Sequence, residues 1–305
     1  MTSAEPTAAP LPVARAGSAP VRRRSGSSAA RYKADISAGS LKLAESRIIA
    51  DLLLRGVSAK SFRDAVGCMM GRYSLDQPGL IYANSGNVGF DPARYTKFPA
   101  DPDGILPMIE SDWGFEDDST KRIKEFISVA WPKEHLSENL EFVAESLGAK
   151  KGESSEDTIR KYLATGFFKH HVQTYKRRPI YWLFSSGKQK AFQCLVYLHR
   201  YHEGTLARMR TEYVIPLQGK ITARIEQLTS DIGKATSTSR RKKLQKEQDD
   251  LKKQQLELAS FDEKLKHYAD MRIKLDLDDG VKVNYGKFGE LLAEVKAVTG
   301  GKDEE

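Results

Sequence analysis

The sequence predicts a mainly α protein with a small α+β part and a long antiparallel helical hairpin, of coiled-coil type, near the C-terminus. Apolar residues recur every seven positions between residues 244 and 268, which is typical of packed helices. Two short apolar runs, Tyr181–Phe184 and Val281–Tyr285, have the length of strands. The 305 residues allow one large domain or two smaller ones with tails.

Residues 1–34 are rich in Ala, Pro, Ser and Arg and lack the apolar stretch of a signal peptide, so we expect a disordered basic leader. Residues 35–66 are predicted to form a short helical segment. A Ser-capped helix with one apolar stripe begins after Ser37, Gly56 ends it, and Ser58–Ala65 begins another.

Residues 67–203 are predicted to form an α+β region of the recognition type. Gly and Pro residues place Tyr73–Arg94 in loops. Helical spacing predicts helices at Lys121–Ala130, at Leu136–Leu147 and, with an aromatic side, at Lys190–Tyr201. A further helix is expected to begin at the capping residue Ser154.

Residues 204–275 carry the apolar repeats of the predicted hairpin. The first arm has apolar residues at Leu217, Ile221, Ile225, Leu228 and Ile232. The second arm has them at Leu244, Leu251, Leu258, Phe261, Leu265 and Tyr268. A polar link at 234–239 separates the arms, and a second arm of about 33 residues would span roughly 50 Å. Residues 276–305 are predicted to contain the strand Val281–Tyr285, a helix at Phe288–Val298 and a tail.

The charge of the chain favours an anionic partner. Net charge is +8 and the isoelectric point is near 9.2, and nucleic acid is the commonest partner of such proteins. Residues 101–118 are acidic whereas residues 169–190 are basic, which indicates one oriented binding face. Cys68 and Cys194 are far apart and are expected to be reduced thiols of a cytoplasmic protein. No apolar run approaches the length of a membrane span.

The run Lys176–Lys188 places cationic side chains beside aromatic ones. Lys and Arg neutralise phosphates and aromatic faces stack on bases, so the run is typical of a DNA-binding surface. The predicted DNA-binding residues are Lys176, Arg177, Arg178, Tyr181, Trp182, Lys188 and Lys190. Possible contacts to the DNA backbone are Arg240, Arg241, Lys242 and Lys243, at the tip of the hairpin. The alternative is a buried strand, Tyr181–Phe184, flanked by a solvated basic turn.

Several blocks carry a resemblance to a known family. They are the blocks at 66–80, 178–186, 198–201, 205–216 and 278–287. In this order they resemble the C-terminal part of the BREX (PglX/BrxX-type) adenine-specific DNA methyltransferases of phage defence. The resemblance implies methyl transfer from S-adenosylmethionine to the exocyclic amine of adenine in double-stranded DNA, with the C-terminal part supplying sequence recognition. Residues 33–54 instead resemble the start of BrxA, a separate component of the same systems. The junction near Val66 is interpreted as an in-frame fusion or as an ordinary lineage-specific N-terminus.

The chemistry of methyl transfer is not recognisable in this chain. An amino-methyltransferase needs an Asn/Asp-Pro-Pro-aromatic loop, and no Pro-Pro pair occurs. Gly86–Gly89 is the nearest candidate for a cofactor turn, but no β-run precedes it. We therefore predict no catalytic, cofactor-binding or metal-binding residues, although S-adenosylmethionine is expected for the full-length family. The histidines at 170, 171, 199 and 202 have no thiolate or carboxylate at ligand spacing.

Three functions remain open. The leading hypothesis is a DNA-recognition region that acts with a methyltransferase catalytic half or with other BREX components. The alternative is a coiled-coil scaffold that binds another defence component, and the third is a catalytic subunit that works with a separately encoded partner.

Overall fold

The computed structural model describes residues 59–300, and side chains from Phe62 onward. The predicted leader, the segment at 33–54 that resembles BrxA and the last five residues lie outside the described residues. Helices dominate this part of the chain. They are α1 (Ala59–Met69), α2 (Ser119–Ala130), α3 (Leu136–Ser146), α4 (Ser155–Tyr162), α5 (Phe168–Thr174), α6 (Thr205–Arg208), α7 (Ile215–Lys234), α8 (Thr238–Asp270), α9 (Gly280–Gly286) and α10 (Val295–Thr299). No helix of residues 59–300 is long and apolar enough to cross a bilayer.

Local capping explains where two of the predicted helices begin. The Asp118 side chain accepts the backbone N–H groups of Thr120 and Lys121 at the start of α2. Ser154 accepts the N–H of Asp157 at the start of α4, as predicted. Arg160 of α4 donates to the Asp118 carboxylate over 2.7 Å, and both side chains are buried. This ion pair therefore joins the last turn of α4 to the beginning of α2.

A three-stranded antiparallel sheet lies at the centre of the fold. Its strands are β1 (Ile105–Pro107), β2 (Tyr181–Ser185) and β3 (Gln193–Tyr197), in the order β1-β3-β2. All five residues of β3 are buried. The predicted helix at Lys190–Tyr201 is therefore wrong, because this apolar run is a central strand covered on both faces. Such a run lacks the alternation of a half-buried strand.

The C-terminal segment covers the free edge of β2. Ala293 donates its N–H to the carbonyl of Leu183 over 2.9 Å, and Leu292 forms a bridge with Phe184. The predicted strand at 281–285 is wrong, since these residues form α9. The predicted last helix is also incorrect, because a 3₁₀ turn (Gly289–Leu291) and the short α10 replace it.

Helices α7 and α8 lie antiparallel, joined by a link at 235–237. Polar contacts connect the arms: Gln248 donates to Thr229 over 2.6 Å, and Arg224 pairs with Glu247 over 2.6 Å. The 33-residue length of α8 matches the length predicted from the heptads. The buried residues of the predicted apolar stripes are Leu217, Ile221, Leu228, Leu251, Leu258, Phe261 and Leu265.

Candidate nucleic-acid interface

The two aromatic residues that were predicted to contact DNA lie in the protein core. Tyr181 and Trp182 are each 1% exposed. The Trp182 ring packs edge-on against Tyr285 and Phe288, and its Nε1–H donates to the carbonyl of Pro179 over 3.0 Å. Their rings cannot stack on bases, and the alternative interpretation of a buried strand is the one that the structure shows for Tyr181–Phe184.

The first basic turn, residues 176–178, follows α5 and is exposed. Lys176 and Arg177 both adopt left-handed backbone conformations, with φ of 49° and 63°. Their N–H groups donate to the carbonyls of Gln173 and Val172, which closes the end of the helix. Left-handed conformations are unfavourable for non-glycine residues, so the surrounding structure must hold this turn in place.

His171 provides part of that support from beneath the turn. Its Nε2 accepts the N–H groups of Ile180 and Tyr181 over 3.1 and 3.2 Å, which links α5 to the start of β2. The ring is therefore neutral with its proton on Nδ1. Burial, together with the nearby Arg63 and Arg72, lowers the pKa of His171 to about 3. His171 is a positioning residue that was not among the predicted site residues.

The second basic turn, residues 187–190, joins β2 to β3 and is held by Glu257 of α8. Glu257 Oε1 accepts the Ser186 hydroxyl over 2.7 Å and the Ala191 N–H over 3.2 Å. Its Oε2 accepts the N–H of Gln189 over 2.6 Å. Gly187 has a φ of 140°, which favours glycine, and a Cβ there would lie 2.8 Å from Glu257 Oε2. The second arm of the hairpin thus fixes the turn that carries Lys188 and Lys190.

The two basic turns border adjoining grooves. Lys176 and Arg177 line one groove, Lys188 and Lys190 line the other, and Lys169 lines both. Glu294 also lines both grooves, and the Nζ of Lys190 lies 3.6 Å from Oε1 of Glu110. Exposed pairs of this kind contribute little energy. We call these five cationic residues, Lys169, Lys176, Arg177, Lys188 and Lys190, the basic grooves. Arg178 is exposed beside them without lining either groove.

The hairpin tip is a separate basic surface. The four predicted residues at 240–243 are all exposed at the start of α8. Arg241 donates to the carbonyl of Ala235 over 2.9 Å, which helps to close the link between the arms. At 1.5 Å per residue, these side chains lie roughly 25 Å along α8 from Glu257. The structure therefore does not bring the tip and the basic grooves together.

The segment considered as a cofactor turn lies in a loop. Residues 85–87 form a 3₁₀ turn, Gly86 and Gly89 have φ near 70°, and no described strand precedes them. The N–H of Asn87 donates to the carbonyl of His199 over 2.9 Å, which ties this loop to the end of β3. The segment thus lacks the strand-turn-helix setting of a nucleotide-binding turn.

Comparisons with curated proteins reveal clear relatives. Over 249 residues, 79% of the chain, it is 58% identical to "Adenine-specific methyltransferase BrxX" of Escherichia coli O9:H4 (strain HS). Over 224 residues it is 42% identical to "Adenine-specific methyltransferase PglX" of Lacticaseibacillus casei (strain Zhang). The chain spans only 20% and 18% of the lengths of these two relatives.

A short second similarity involves a different protein. Thirty-six residues, 12% of the chain, are 67% identical to "BREX protein BrxA" of Paramagnetospirillum magneticum (strain ATCC 700264 / AMB-1) and cover 18% of it. No family model matches the chain. The resemblance to a part of the PglX/BrxX-type methyltransferases, and to a part of BrxA, is therefore confirmed.

Proposed function

Because the chain is related to the BREX adenine-specific methyltransferases, we propose that it is a region that binds duplex DNA for such an enzyme. The observation that supports this proposal is the convergence of five cationic side chains on two adjoining grooves. These residues come from α5, from the turn that follows it and from the β2–β3 turn. Cations placed in this way neutralise phosphates along a groove-shaped surface.

The grooves are suited to contacts with the DNA backbone. Lysine ammonium groups are compact point charges, and Arg177 adds a planar fork that matches two phosphate oxygens. The buried Tyr181 and Trp182 contribute by fixing the strand between the turns. We therefore assign phosphate contacts to Lys169, Lys176, Arg177, Lys188 and Lys190, with Arg178 beside them, and no base stacking to the two aromatics. The hairpin tip is a second, independent candidate for backbone contacts.

In this proposal methyl transfer itself belongs to a catalytic region that the chain lacks. The sequence contains no Pro-Pro pair, and the Gly86–Gly89 loop lacks the setting of a cofactor turn. The partners are then double-stranded DNA and a methyltransferase catalytic half or another BREX component, in the cytoplasm. S-adenosylmethionine would bind to that catalytic half and not to this chain.

Salt-dependent binding to mixed-sequence duplex DNA tests the proposal. Replacing Lys176, Arg177 and Arg178 together with Ala should weaken binding and reduce the slope of log K against log salt by about one for each lost phosphate contact. The matched control replaces Lys133, Lys150 and Lys151 with Ala, since these exposed lysines lie outside the grooves and change net charge equally. Equal slopes for the parent and both variants would contradict the proposal.

A second candidate function is a protein-interaction scaffold. It is favoured by the exposed apolar residues of the second arm, since Leu256 of α8 is 75% exposed and Met271 at its end is 56% exposed. Exposed apolar side chains of this size suit a protein partner better than DNA. Complex formation with a separately expressed methyltransferase catalytic half, lost in Leu256→Glu while DNA binding is retained, would favour this candidate.

A further inference from the structure

Three carboxylates meet where the sheet, α2 and the start of the hairpin come together. Asp101 and Asp103 precede β1, and Asp117 precedes α2. Each offers an oxygen, and the three oxygens lie within 4.8 Å of one another. Asp101 is 1% exposed, Asp103 is buried, and Asp117 is partly exposed. We call Asp101, Asp103 and Asp117 the acidic junction.

The hydrogen-bond donors around the acidic junction are too few for its oxygens. Asp101 Oδ1 accepts the N–H groups of Asp103 and Gly104, but Asp101 Oδ2 is buried and has no hydrogen-bond partner. The Tyr213 hydroxyl lies 2.9 Å from Asp103 Oδ2 and 2.5 Å from Asp117 Oδ2. One hydroxyl has one proton, so it can donate to only one of these two oxygens at a time. An unpaired buried carboxylate oxygen points to a ligand that supplies positive charge.

The nearest buried cation does not supply that charge through direct bonds. Arg200 donates to the backbone carbonyls of Asp101 and Pro102 and to Asn87 Oδ1, and its guanidinium lies over the Phe90 ring. The acceptors of all these hydrogen bonds are neutral oxygens. The single positive charge of Arg200 therefore offsets only part of the negative charge of the three carboxylates. His202 also lies near Asp103, and burial lowers its pKa.

We propose that the acidic junction binds one hard divalent cation, Ca²⁺ or Mg²⁺. Both ions prefer oxygen ligands, at about 2.3–2.6 Å for Ca²⁺ and about 2.0–2.1 Å for Mg²⁺, so two ligands on opposite sides of the ion are roughly 4–5 Å apart. The three carboxylate oxygens, which lie within 4.8 Å of one another, are spaced as this requirement asks. The ion would join β1, α2 and, through Tyr213, the π-helical segment Met209–Val214 that leads into α7. This assignment differs from the sequence prediction, which named no metal ligand.

A shared proton is the competing occupant. Burial, with the nearby Asp103, raises the pKa of Asp101 well above its ordinary value. A protonated, neutral Asp101 would also relieve the electrostatic repulsion among the three carboxylates. The two occupants make opposite predictions for Asp101→Asn. An amide removes the negative charge that a cation would bind, whereas it reproduces a protonated carboxyl in shape and charge.

The test uses the full chain after dialysis against a chelator, at neutral pH. Calorimetric titration with CaCl₂ and with MgCl₂ should show one equivalent of ion bound for at least one of them, and melting temperature should rise with ion concentration. Asp101→Asn should weaken binding by roughly tenfold or more, since a charged ligand is lost. Asp112→Asn is the control, because Asp112 is an exposed carboxylate of the same acidic segment.

Two results would overturn the proposal. The first is the absence of both heat and melting shift with either ion at millimolar concentration. The second is an Asp101→Asn variant that keeps the ion response of the parent. If Asp101→Asn does not fold, Asp117→Asn serves instead, because Asp117 is partly exposed and tolerates substitution better.

Discussion

Ser186 and Glu257 are 71 positions apart, yet the Ser186 hydroxyl donates to Glu257 Oε1 over 2.7 Å. This hydrogen bond connects the end of β2 to the middle of α8. The same carboxylate accepts the N–H groups of Gln189 and Ala191. The long second arm therefore acts as a support that sets the conformation of the turn that carries Lys188 and Lys190.

The effect of Glu257 on the conformation of the turn can be separated from the effect of its negative charge on DNA binding. Glu257→Ala leaves two N–H groups and one hydroxyl without their acceptor, so we expect a loss of stability of about 2 kcal/mol. We also expect weaker duplex binding, because the turn becomes mobile. Simple electrostatics predicts the reverse, since removing a negative charge beside the grooves should strengthen binding. Mobility-shift titration of the parent, Glu257→Ala and the exposed control Glu263→Ala distinguishes these outcomes. Tighter binding of Glu257→Ala than of Glu263→Ala would contradict the positioning role.

The neutral His171 predicts a dependence of stability on pH. Its pKa is about 3 in the folded protein against an ordinary value near 6.5. The unfolded chain therefore binds more protons between these values, and the free energy of unfolding falls as pH decreases from about 6.5 towards 3. His171→Gln keeps a hydrogen-bond acceptor but cannot titrate, so it should show a shallower decline. Denaturant unfolding across this range, with the exposed His267→Gln as control, measures the difference. A decline as steep in His171→Gln as in the parent would exclude His171 as its source.

Two leucines on α8 form a matched pair for testing the packing of the hairpin. Leu258 is fully buried whereas Leu256, two positions earlier, is 75% exposed. Leu258→Ala should lower the free energy of unfolding by about 2–5 kcal/mol because it leaves a cavity. Leu256→Ala should change it by no more than about 0.5 kcal/mol. Chemical denaturation monitored by circular dichroism provides both values. Similar losses in the two variants would mean that α8 packs on a different face.

The features predicted correctly are those encoded by local sequence. The Ser154 cap, the helix after Asp118 and the 33-residue second arm depend on neighbouring residues or on heptad spacing. The strand β3 was mistaken for a helix because its identity depends on pairing with neighbouring strands, of which β1 is distant in sequence and β2 precedes it across a turn. Val281, Val283 and Tyr285 alternate like a strand, yet they belong to α9. There the Asn284 side chain donates to the Gly280 carbonyl, and the Tyr285 ring packs on Trp182.

The residues of the candidate site divide in the same way, into those that local sequence identifies and those that depend on contacts across the fold. The cationic residues at 176–178, 188 and 190 were identified from composition. All of them are exposed or partly exposed. The sequence could not reveal that Tyr181 and Trp182 face the core, because an apolar strand and an aromatic binding surface have the same composition. His171, Glu257 and Lys169 were not selected, since their roles depend on contacts across the fold. Lys169 lies within the basic segment at 169–190, which was the only local signal for it.

The last prediction concerns the cofactor of the related enzymes. We expect that the purified chain neither binds S-adenosylmethionine nor methylates DNA. Methyl transfer to adenine requires a flipped base held against the cofactor by polar and aromatic groups. The basic grooves present lysines and Arg177, while Trp182, Tyr181 and Phe184 of the neighbouring strand are buried and unavailable to hold a base.

Calorimetry with the cofactor, followed by transfer of a labelled methyl group to mixed-sequence duplex DNA, measures both properties. The same DNA preparation should be bound by the chain in a mobility shift, which shows that the protein is active as a binding module. Adding a separately expressed methyltransferase catalytic half should then produce transfer, and the triple Ala variant at 176–178 should reduce that transfer because DNA is held less tightly. Cofactor binding at micromolar concentration together with transfer by the chain alone would instead mean that this chain contains a catalytic site of its own.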